Sequence, residues 1–206
     1  MADPKDEKPR PARAASQNPG IDDSTEELFA TFTEAGEPLG LVPRSQVHAQ
    51  GLWHKSAQVF LFDAEGRLIL QKRSADKDVC PGLWDQSAAE HLKPGESWLE
   101  GALRGLEEEL GVTGITLTAL GDPFHGRLDQ PELGIHDYEL QQAFRGRWDG
   151  ALDPDPVEVA EVRALAIEEL TNWARRSPEA FTPWFLRDAV RCGILDLSLD
   201  GNPEAD

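Results

Sequence analysis

The stretch GESWLEGALRGLEEELGV, residues 95–112, constrains the fold of this chain more than any other part of it. Ser97 is followed three residues later by Glu100, which is the spacing of a capping box that starts a helix. Gly111 is the kind of residue that ends a helix, because it adopts the left-handed conformation without steric strain. The sequence therefore predicts a helix from about Trp98 to Leu110, with both ends specified locally.

The predicted helix has an apolar face and a polar face. Apolar side chains recur at three- and four-residue steps, at Leu99, Ala102, Leu103, Leu106 and Leu110. The opposite face carries Gly101, Arg104, Gly105 and Glu108, with Glu109 at its edge. A glycine inside a helix costs roughly 1 kcal/mol relative to alanine, so two of them on one face require a reason. Either their missing side chains let a backbone, a ligand or hydrated ions approach, or this is a solvated acidic face with an Arg104–Glu108 pair.

The charge of the chain restricts its partners. A formal net charge of −18 argues against a general nucleic-acid surface, which needs a basic stripe to displace counterions. An anionic substrate would need metal ions or a local basic cluster to offset the repulsion. Cys80 and Cys192 are too few for a disulfide framework, and no segment resembles a signal peptide or a membrane span. We therefore expect a cytoplasmic protein with free thiols and no membrane partner.

The composition divides the chain into a folded unit and two tails. Residues 1–26 mix Pro, Ala, Ser and both charge signs with almost no large apolar side chain, and 200–206 are similar. Such segments do not offset the entropy of ordering, so we expect disordered tails around one domain at 27–199.

The spacing inside that domain predicts strands, one central helix, further strands and closing helices. The predicted strands lie in LFATFT, GEPLGLVPR, AQVFLFDAEGRLILQKR, ITLTAL and HDYELQQAFRGRW, and the closing helices lie in AIEELTNWARRSP and TPWFLRDAVRCGIL. This order indicates an α/β fold in which helices cover the faces of a mixed sheet.

Residues 90–112, EHLKPGESWLEGALRGLEEELGV, resemble the Nudix box. That pattern is a Gly, five residues, a Glu, seven residues, and then Arg-Glu-aliphatic-any-Glu-Glu-any-Gly-aliphatic. Two positions depart from it, since Glu90 stands where the family has Gly and Gly105 where it has Glu. The other specified positions match in register, at Glu96, Arg104, Leu106, Glu108, Glu109, Gly111 and Val112.

The resemblance implies a Nudix fold, an α/β/α sandwich with a mixed sheet, and divalent metal held by the box. Candidate ligands are Glu108 and Glu109, with a carbonyl from the Ala89–Glu90 loop, while Glu96, also a candidate ligand, pairs with Arg104 to fix that loop. Gly105 removes a carboxylate that the family uses, and Glu90 is a candidate replacement as a metal ligand. Mg²⁺ or Mn²⁺ on such carboxylates activates phosphoanhydrides.

A general base is also expected from a loop after the box. The segment DPDPVEVAEV offers Glu158 and Glu161, and Glu158 matches the family's usual place better. The alternative is a charged loop residue or a salt-bridge partner. The catalytic candidates are therefore Glu108, Glu109 and Glu158.

The longer stretch from residue 47 to 97, together with GIHDYELQQAF and FTPWF, is similar to the Nudix branch related to isopentenyl-diphosphate isomerase. That resemblance implies a metal site, basic residues that grip the diphosphate, and a pocket tryptophan. The matching metal positions are His48, His54, His91, Asp137 and Glu139; the matching basic positions are Arg44, Arg73 and Lys77; the tryptophan is Trp184. Surface charge and core packing are the alternatives for the basic residues and Trp184. The isomerase's active-site cysteine falls on Ala89.

These observations lead to one functional hypothesis and two alternatives. The hypothesis is metal-dependent hydrolysis of a phosphoanhydride in a small organic diphosphate, such as a nucleoside diphosphate derivative. Isomerisation of isopentenyl diphosphate is the first alternative, but Ala89 cannot act as one of its two acid–base groups. The second is a Nudix-derived module that binds a diphosphate without turnover. The oligomeric state is left open, a homodimer included.

Overall fold

The structure is a computed structural model that describes residues 27–77, 79–131 and 134–197. The expected tails at 1–26 and 200–206, and the last two residues of the predicted domain, lie outside these ranges.

Within the described residues, ten strands form one mixed sheet flanked by helices. The strands are β1 (Leu28–Phe32), β2 (Pro38–Pro43), β3 (Trp53–Phe62), β4 (Leu68–Arg73), β5 (Trp84–Asp85), β6 (Ala88–His91), β7 (Thr118–Ala119), β8 (Phe124–Gln130), β9 (Ile135–Arg147) and β10 (Val159–Leu165). The helices are α1 (Arg44–Gln50), α2 (Trp98–Leu110), α3 (Ile167–Arg176) and α4 (Pro183–Arg191), with a 3-10 turn at Pro178–Ala180. Among the described residues, no helix combines the length and the hydropathy of a membrane-spanning segment.

Strand β3 lies at the centre of the sheet. Its sequence, WHKSAQVFLF, is mostly buried, as expected for a strand covered on both faces. It runs parallel to β9 and antiparallel to β1, β4 and β6. The β3–β9 register places His54 beside Glu139, and the β3–β6 register places Ser56 beside His91. Residues far apart in the sequence thus meet at one end of β3.

Two hydrophobic cores lie on opposite faces of the sheet. One contains Phe60 of β3 with Leu170 of α3 and Phe185 of α4. The other contains Val59 of β3 with Leu106 of α2. Val59 and Phe60 are consecutive residues of β3 and therefore point to opposite faces of the sheet. Each packs against a helix, so helices cover both faces. The α/β/α sandwich with a mixed sheet is confirmed.

Helix α2 begins and ends as predicted, and Ala102, Leu106 and Leu110 of its predicted apolar face are buried, but the assignment was wrong at Leu99 and at the two glycines. The capping box at Ser97 and the left-handed Gly111 are both present. Gly101 and Gly105 are buried, whereas Leu99 is 43% exposed. A Cβ added at Gly101 would lie 2.9 Å from Leu92 Cδ1, and one at Gly105 would lie 2.8 Å from Glu90 Cβ. The glycines therefore admit the strand β6 and the residue after it, and they do not belong to a solvated face.

Two segments predicted as loops are strands. Ala89 and Glu90 lie in β6, which pairs with β3. Glu161 lies in β10, where it pairs with Arg163 across 2.6 Å. Both strands are short or partly exposed, so their sequences lack the long apolar alternation that reveals a strand.

Candidate active site

Three histidines and an aspartate form a compact cluster. Potential ligand atoms of His48, His54, His91 and Asp137 all lie within 4.8 Å of one another. His54 Nε2 is 3.3 Å and His48 Nε2 is 3.7 Å from Asp137 Oδ1. Among the described residues, no second group of three or more such side chains meets this criterion. The structure thus brings together residues that the sequence could match only individually to the family's metal-ligand positions.

The fold explains why these residues meet. His48 lies in the last turn of α1, His54 near the start of β3 and His91 at the end of β6. Asp137 and Glu139 are two residues apart on β9, so they point to the same face of the sheet. Glu139 Oε1 lies 3.2 Å from His91 Nε2 and extends the cluster to a fifth member.

The cluster has the chemistry of a metal site. His48 Nε2, His54 Nε2 and Asp137 Oδ1 are buried without a hydrogen-bond partner among the described residues, a costly arrangement unless something else binds them. His54 Nδ1 donates to the carbonyl oxygen of Leu52 at 3.0 Å, and this tautomer of the neutral ring presents the Nε2 lone pair that a metal needs. Imidazole nitrogen together with carboxylate oxygen suits divalent ions.

Phe29 of β1 forms an apolar wall against the three imidazoles. Its ring centroid lies 5.2 Å from that of His54, 4.9 Å from that of His91 and 6.0 Å from that of His48. Burial lowers the pKa of His48 to about 4, so this ring is neutral at pH 7. Burial also opposes charge on His91, but Glu139 outweighs it and raises that pKa above its ordinary value.

A cavity of about 490 Å³ opens beside the cluster. It contains metal-site candidates, basic residues and the position of the isomerase cysteine together. Among the predicted site residues, its lining includes His48, His91, Asp137, Glu139, Arg44, Arg73, Trp184 and Glu90, and Ala89 also lines it. His54, Lys77, Glu96, Glu108, Glu109 and Glu158 are not part of this lining.

Arg73 and Trp184 form one wall of the cavity and share a buried anchor. The Arg73 guanidinium lies 5.3 Å from the Trp184 ring centroid and donates to the carbonyl oxygen of Val79 at 3.0 and 3.1 Å. Asp85, fully buried, accepts from Trp184 Nε1 at 3.0 Å and from Arg73 Nη1 at 3.4 Å. Thr182 Oγ1 also donates to Asp85, at 3.0 Å. This carboxylate therefore fixes both wall residues, which places Trp184 at the pocket and not in the core alone.

The other basic candidates differ in their surroundings. Arg44 is the first residue of α1 and is half exposed. Its Nη1 lies 3.8 Å from Glu27 Oε2. Lys77 donates to the carboxylate of Glu158, and burial together with Arg73 lowers its pKa. This salt bridge joins Lys77, a candidate for diphosphate binding, to Glu158, the candidate base, so their charges offset each other. Neither residue lines the cavity.

The carboxylates of Glu96, just before α2, and of Glu108 and Glu109 within it have different partners. Glu96 accepts two hydrogen bonds from Arg104, each 2.8 Å, and Arg104 also donates to the carbonyl oxygen of His91 at 2.8 Å. Glu108 is exposed and pairs with Arg104 at 3.1 Å. Glu109 is buried, where it accepts from Gln71 Nε2 and from the backbone N–H of Ala89 at 3.3 Å. Arg104 therefore ties the helix to the end of β6, which is the loop-fixing role that the resemblance implies.

Burial changes the chemistry of Glu109. It raises the pKa of this carboxyl group to about 8, and the negative charge of Glu90 adds to the effect. Metal ligands must be deprotonated, so a cation bound here would release a proton near neutral pH.

The NUDIX domain profile matches residues 52–185, more than half of the chain. The chain belongs to the Nudix family. Proteins named isopentenyl-diphosphate Delta-isomerase are similar to it over most of their length. The protein of Streptomyces coelicolor is 33% identical, over 91% of this chain and 96% of that one. The protein of Nocardia farcinica is 37% identical over 73% and 86%, and that of Burkholderia multivorans is 31% identical over 82% and 94%. The resemblance to this Nudix branch is confirmed.

Solved structures show the Nudix fold at lower identity. DR0079 from Deinococcus radiodurans has a TM-score of 0.64 at 21% identity, covering 81% of this chain and 99% of that one. The MutT protein from Methanosarcina mazei has a TM-score of 0.54 at 21% identity, covering 68% and 93%.

The two departures from the Nudix box are in direct contact. Glu90 Cβ fills the space that a Cβ at position 105 would occupy, and Glu90 Oε2 lies 3.2 Å from Arg104 Nη1. In this Nudix protein a large residue at 90 therefore requires glycine at 105. Its carboxylate already has a cationic partner, so a role for Glu90 as a metal ligand stays a prediction, as do the ligand roles of Glu96, Glu108 and Glu109.

Four residues of this Nudix site were missed from the sequence. Phe29, Asp85, Gln141 and Arg187 support the site, but each resembles an ordinary core or surface residue in its local pattern. One signal was available for Gln141, because it follows Asp137 and Glu139 at the two-residue spacing of one strand face.

Proposed function

We propose that this protein hydrolyses the phosphoanhydride bond of an organic diphosphate, such as a nucleoside diphosphate derivative, with Mg²⁺ or Mn²⁺. Water adds to one phosphorus and the bridging P–O bond breaks, which leaves two separate phosphate groups. One observation carries the proposal: a single cavity is lined by His48, Asp137, Arg44 and Arg73, and by only a methyl group at Ala89.

The residues fit divalent metal at the histidine cluster, and a second ion at the box carboxylates stays part of the proposal. His48, His54, His91, Asp137 and Glu139 would hold one ion, and their mixture of nitrogen and oxygen donors favours Mn²⁺ over Mg²⁺ there. The box carboxylates Glu108 and Glu109 offer oxygen only, which Mg²⁺ prefers. Divalent ions supply Lewis-acid chemistry, polarising phosphoryl oxygens and offsetting their charge.

The protein's own residues would bind and orient the substrate. Arg44 and Arg73 offer guanidinium groups to phosphate oxygens, and Arg73 is held in place by Asp85 and Val79. Trp184 forms a flat wall for the attached group. Glu158 is the proposed base, and its carboxylate accepts a hydrogen bond from Lys77.

Isomerisation of isopentenyl diphosphate is the second candidate, and the names of the similar proteins favour it. That reaction moves a double bond, so one acid–base group must protonate carbon and a second must remove a proton elsewhere. Glu139 lines the cavity and suits one task, but position 89 holds Ala in place of the family's cysteine. This is why we favour hydrolysis. A diphosphate-binding module without turnover is the third candidate.

The test is incubation with Mg²⁺ or Mn²⁺ and a panel of nucleoside diphosphate derivatives, dinucleotides and isopentenyl diphosphate, with products resolved by mass. We expect a hydrolysed anhydride that disappears in Glu109→Gln and persists in Glu107→Gln. Glu107 is the control because it lies two residues before Glu109 on the same helix and is exposed. Binding without product across the panel would favour the binding module.

A further inference from the structure

Glu139, the fifth member of the histidine cluster, has its two oxygens in different environments. Oε1 lies 3.2 Å from His91 Nε2, on the side of the cluster. Oε2 accepts a hydrogen bond of 2.7 Å from Gln141 Nε2. One oxygen is therefore held by a neighbouring amide while the other points to the cluster.

The Gln141 amide is in turn oriented by Arg187 of α4. Arg187 Nη2 donates to Gln141 Oε1 at 3.2 Å. A guanidinium only donates and a carboxylate only accepts, so the chain from Arg187 through Gln141 to Glu139 permits one amide orientation. Gln141 is fully buried, so its amide is shielded from solvent.

Arg187 is itself fixed on two sides. Its Nε donates to Asp188 Oδ1 at 2.7 Å, and Asp188 is fully buried. Its Nη1 donates to the carbonyl oxygen of Arg127 at 3.3 Å. The guanidinium is therefore a rigid starting point for the chain of bonds.

The neighbouring strand leaves room for this chain at one residue. Gly126 of β8 lies opposite Glu139 in the β8–β9 register. A Cβ added at Gly126 would lie 2.4 Å from Gln141 Oε1 and 3.0 Å from Arg187 Nη2. Any larger residue would displace the amide and the guanidinium together.

We propose that Gln141 and Arg187 are positioning residues that orient Glu139 toward the histidine cluster. The amide passes on the orientation of the guanidinium to Glu139 Oε2, which leaves Oε1 directed toward the cluster. This inference rests on the metal site of the proposed function.

The test is Mn²⁺ affinity of the whole protein, read from the electron paramagnetic resonance signal of free Mn²⁺ and independent of turnover. Loss of a residue that orients a metal ligand typically lowers affinity about 10- to 100-fold, and we expect this range for Gln141→Leu. Gln142→Leu is the matched control, because Gln142 is a buried glutamine on the same strand whose amide bonds to the carbonyl oxygens of Gly121 and Ala143. Its Mn²⁺ affinity should stay at the wild-type value.

A double variant separates the loss of the hydrogen-bond relay from Arg187 through Gln141 to Glu139 from a general loss of structure. Arg187→Met should weaken Mn²⁺ binding in the wild type and have no further effect in Gln141→Leu, because the relay is already broken. Should Gln141→Leu fail to fold, Arg187→Met and Arg187→Lys provide the test, because Arg187 lines the cavity and is not part of the core. Arg187→Lys keeps the positive charge but lacks the planar guanidinium that orients the Gln141 amide.

The outcomes separate this proposal from the metal site itself. If His54→Ala abolishes Mn²⁺ binding while Gln141→Leu and Arg187→Met retain wild-type affinity, the relay is wrong and the site stands. If His54→Ala leaves binding unchanged, or the wild type binds no Mn²⁺, both are wrong.

Discussion

At the scale of the residue, Glu109 combines burial, hydrogen bonding and an unusual proton affinity. Its carboxyl group accepts from Gln71 and from the backbone of Ala89, the position where the isomerase family has its cysteine. Burial raises its pKa to about 8 from an ordinary 4.5. The free protein therefore retains a proton that bound metal would displace.

This proton affinity makes the stability of the metal-free protein depend on pH. Between pH 4.5 and about 8 the folded protein binds the Glu109 proton and the unfolded chain does not. The contribution of Glu109 to the free energy of unfolding is therefore fully present below pH 4.5 and is lost as the pH rises through 8.

Glu109→Gln imitates the protonated acid and cannot ionise. At about 1.4 kcal/mol per pKa unit, we expect the variant to gain on the wild type by a few kcal/mol between pH 5 and pH 9. Urea unfolding in the presence of a chelator measures the difference, with Glu107→Gln as control. A difference that stays constant over this pH range would show that Glu109 ionises normally.

At the scale of the element, α2 and β6 pack closely because Gly101 and Gly105 present bare backbone to the strand side. The gap at Gly105 is filled by Glu90. The glycine that interrupts the box is thus the steric partner of the glutamate that replaces the box's first glycine.

This pairing predicts strong coupling between positions 90 and 105. Gly105→Ala should destabilise the wild type, because the new Cβ would lie 2.8 Å from Glu90 Cβ. In Glu90→Gly the same change should be neutral or stabilising, since alanine is favoured over glycine in a helix by roughly 1 kcal/mol.

A double-mutant cycle by urea unfolding measures the coupling, which we expect at about 1 to 3 kcal/mol. Equal effects of Gly105→Ala in the two backgrounds would mean that α2 and β6 adjust freely to each other.

At the scale of the whole molecule, the metal site joins elements from both halves of the chain. Ligand candidates come from α1, β3, β6 and β9, so a bound ion would tie these elements together. Because the ion binds only the folded state, it should stabilise the whole protein.

We therefore expect Mn²⁺ at 100 times its dissociation constant to add about 2.7 kcal/mol of stability. In a chain of this size, that corresponds to a rise in Tm of about 5 to 10 °C, which excess EDTA should reverse. His54→Ala should abolish the rise. His125→Ala should retain it, because His125 bonds to the carbonyl oxygen of Glu34 outside the cluster. A rise of equal size in both variants would place the ion elsewhere.

Local signals in the sequence predicted the long elements and the order of the fold. The caps of α2 and the apolar run of β3 are properties of neighbouring residues, so both were found. Strand β6 and helix α1 were not, because pairing and packing with distant residues specify them. Gly105 was assigned to the polar face for a related reason: its burial depends on Glu90, which no helical period reveals.

The site divides in the same way. Family positions identified the histidine cluster and Arg73, whereas Asp85, Gln141 and Arg187 act through contacts that only the folded chain displays. Their residue types are ordinary for buried polar positions, so the sequence offered no reason to select them.

The central claim is hydrolysis of an organic diphosphate at the cavity, and incubation in ¹⁸O-labelled water tests it most directly. The protein, Mn²⁺ and a mixture of nucleoside diphosphate derivatives with isopentenyl diphosphate would be analysed by liquid chromatography with mass detection. We predict two phosphate-bearing products per anhydride, one of which contains a single ¹⁸O atom, with no dimethylallyl diphosphate. Unlabelled dimethylallyl diphosphate as the product would contradict the account and would mean that a group other than a cysteine at position 89 performs the acid–base chemistry of an isomerase.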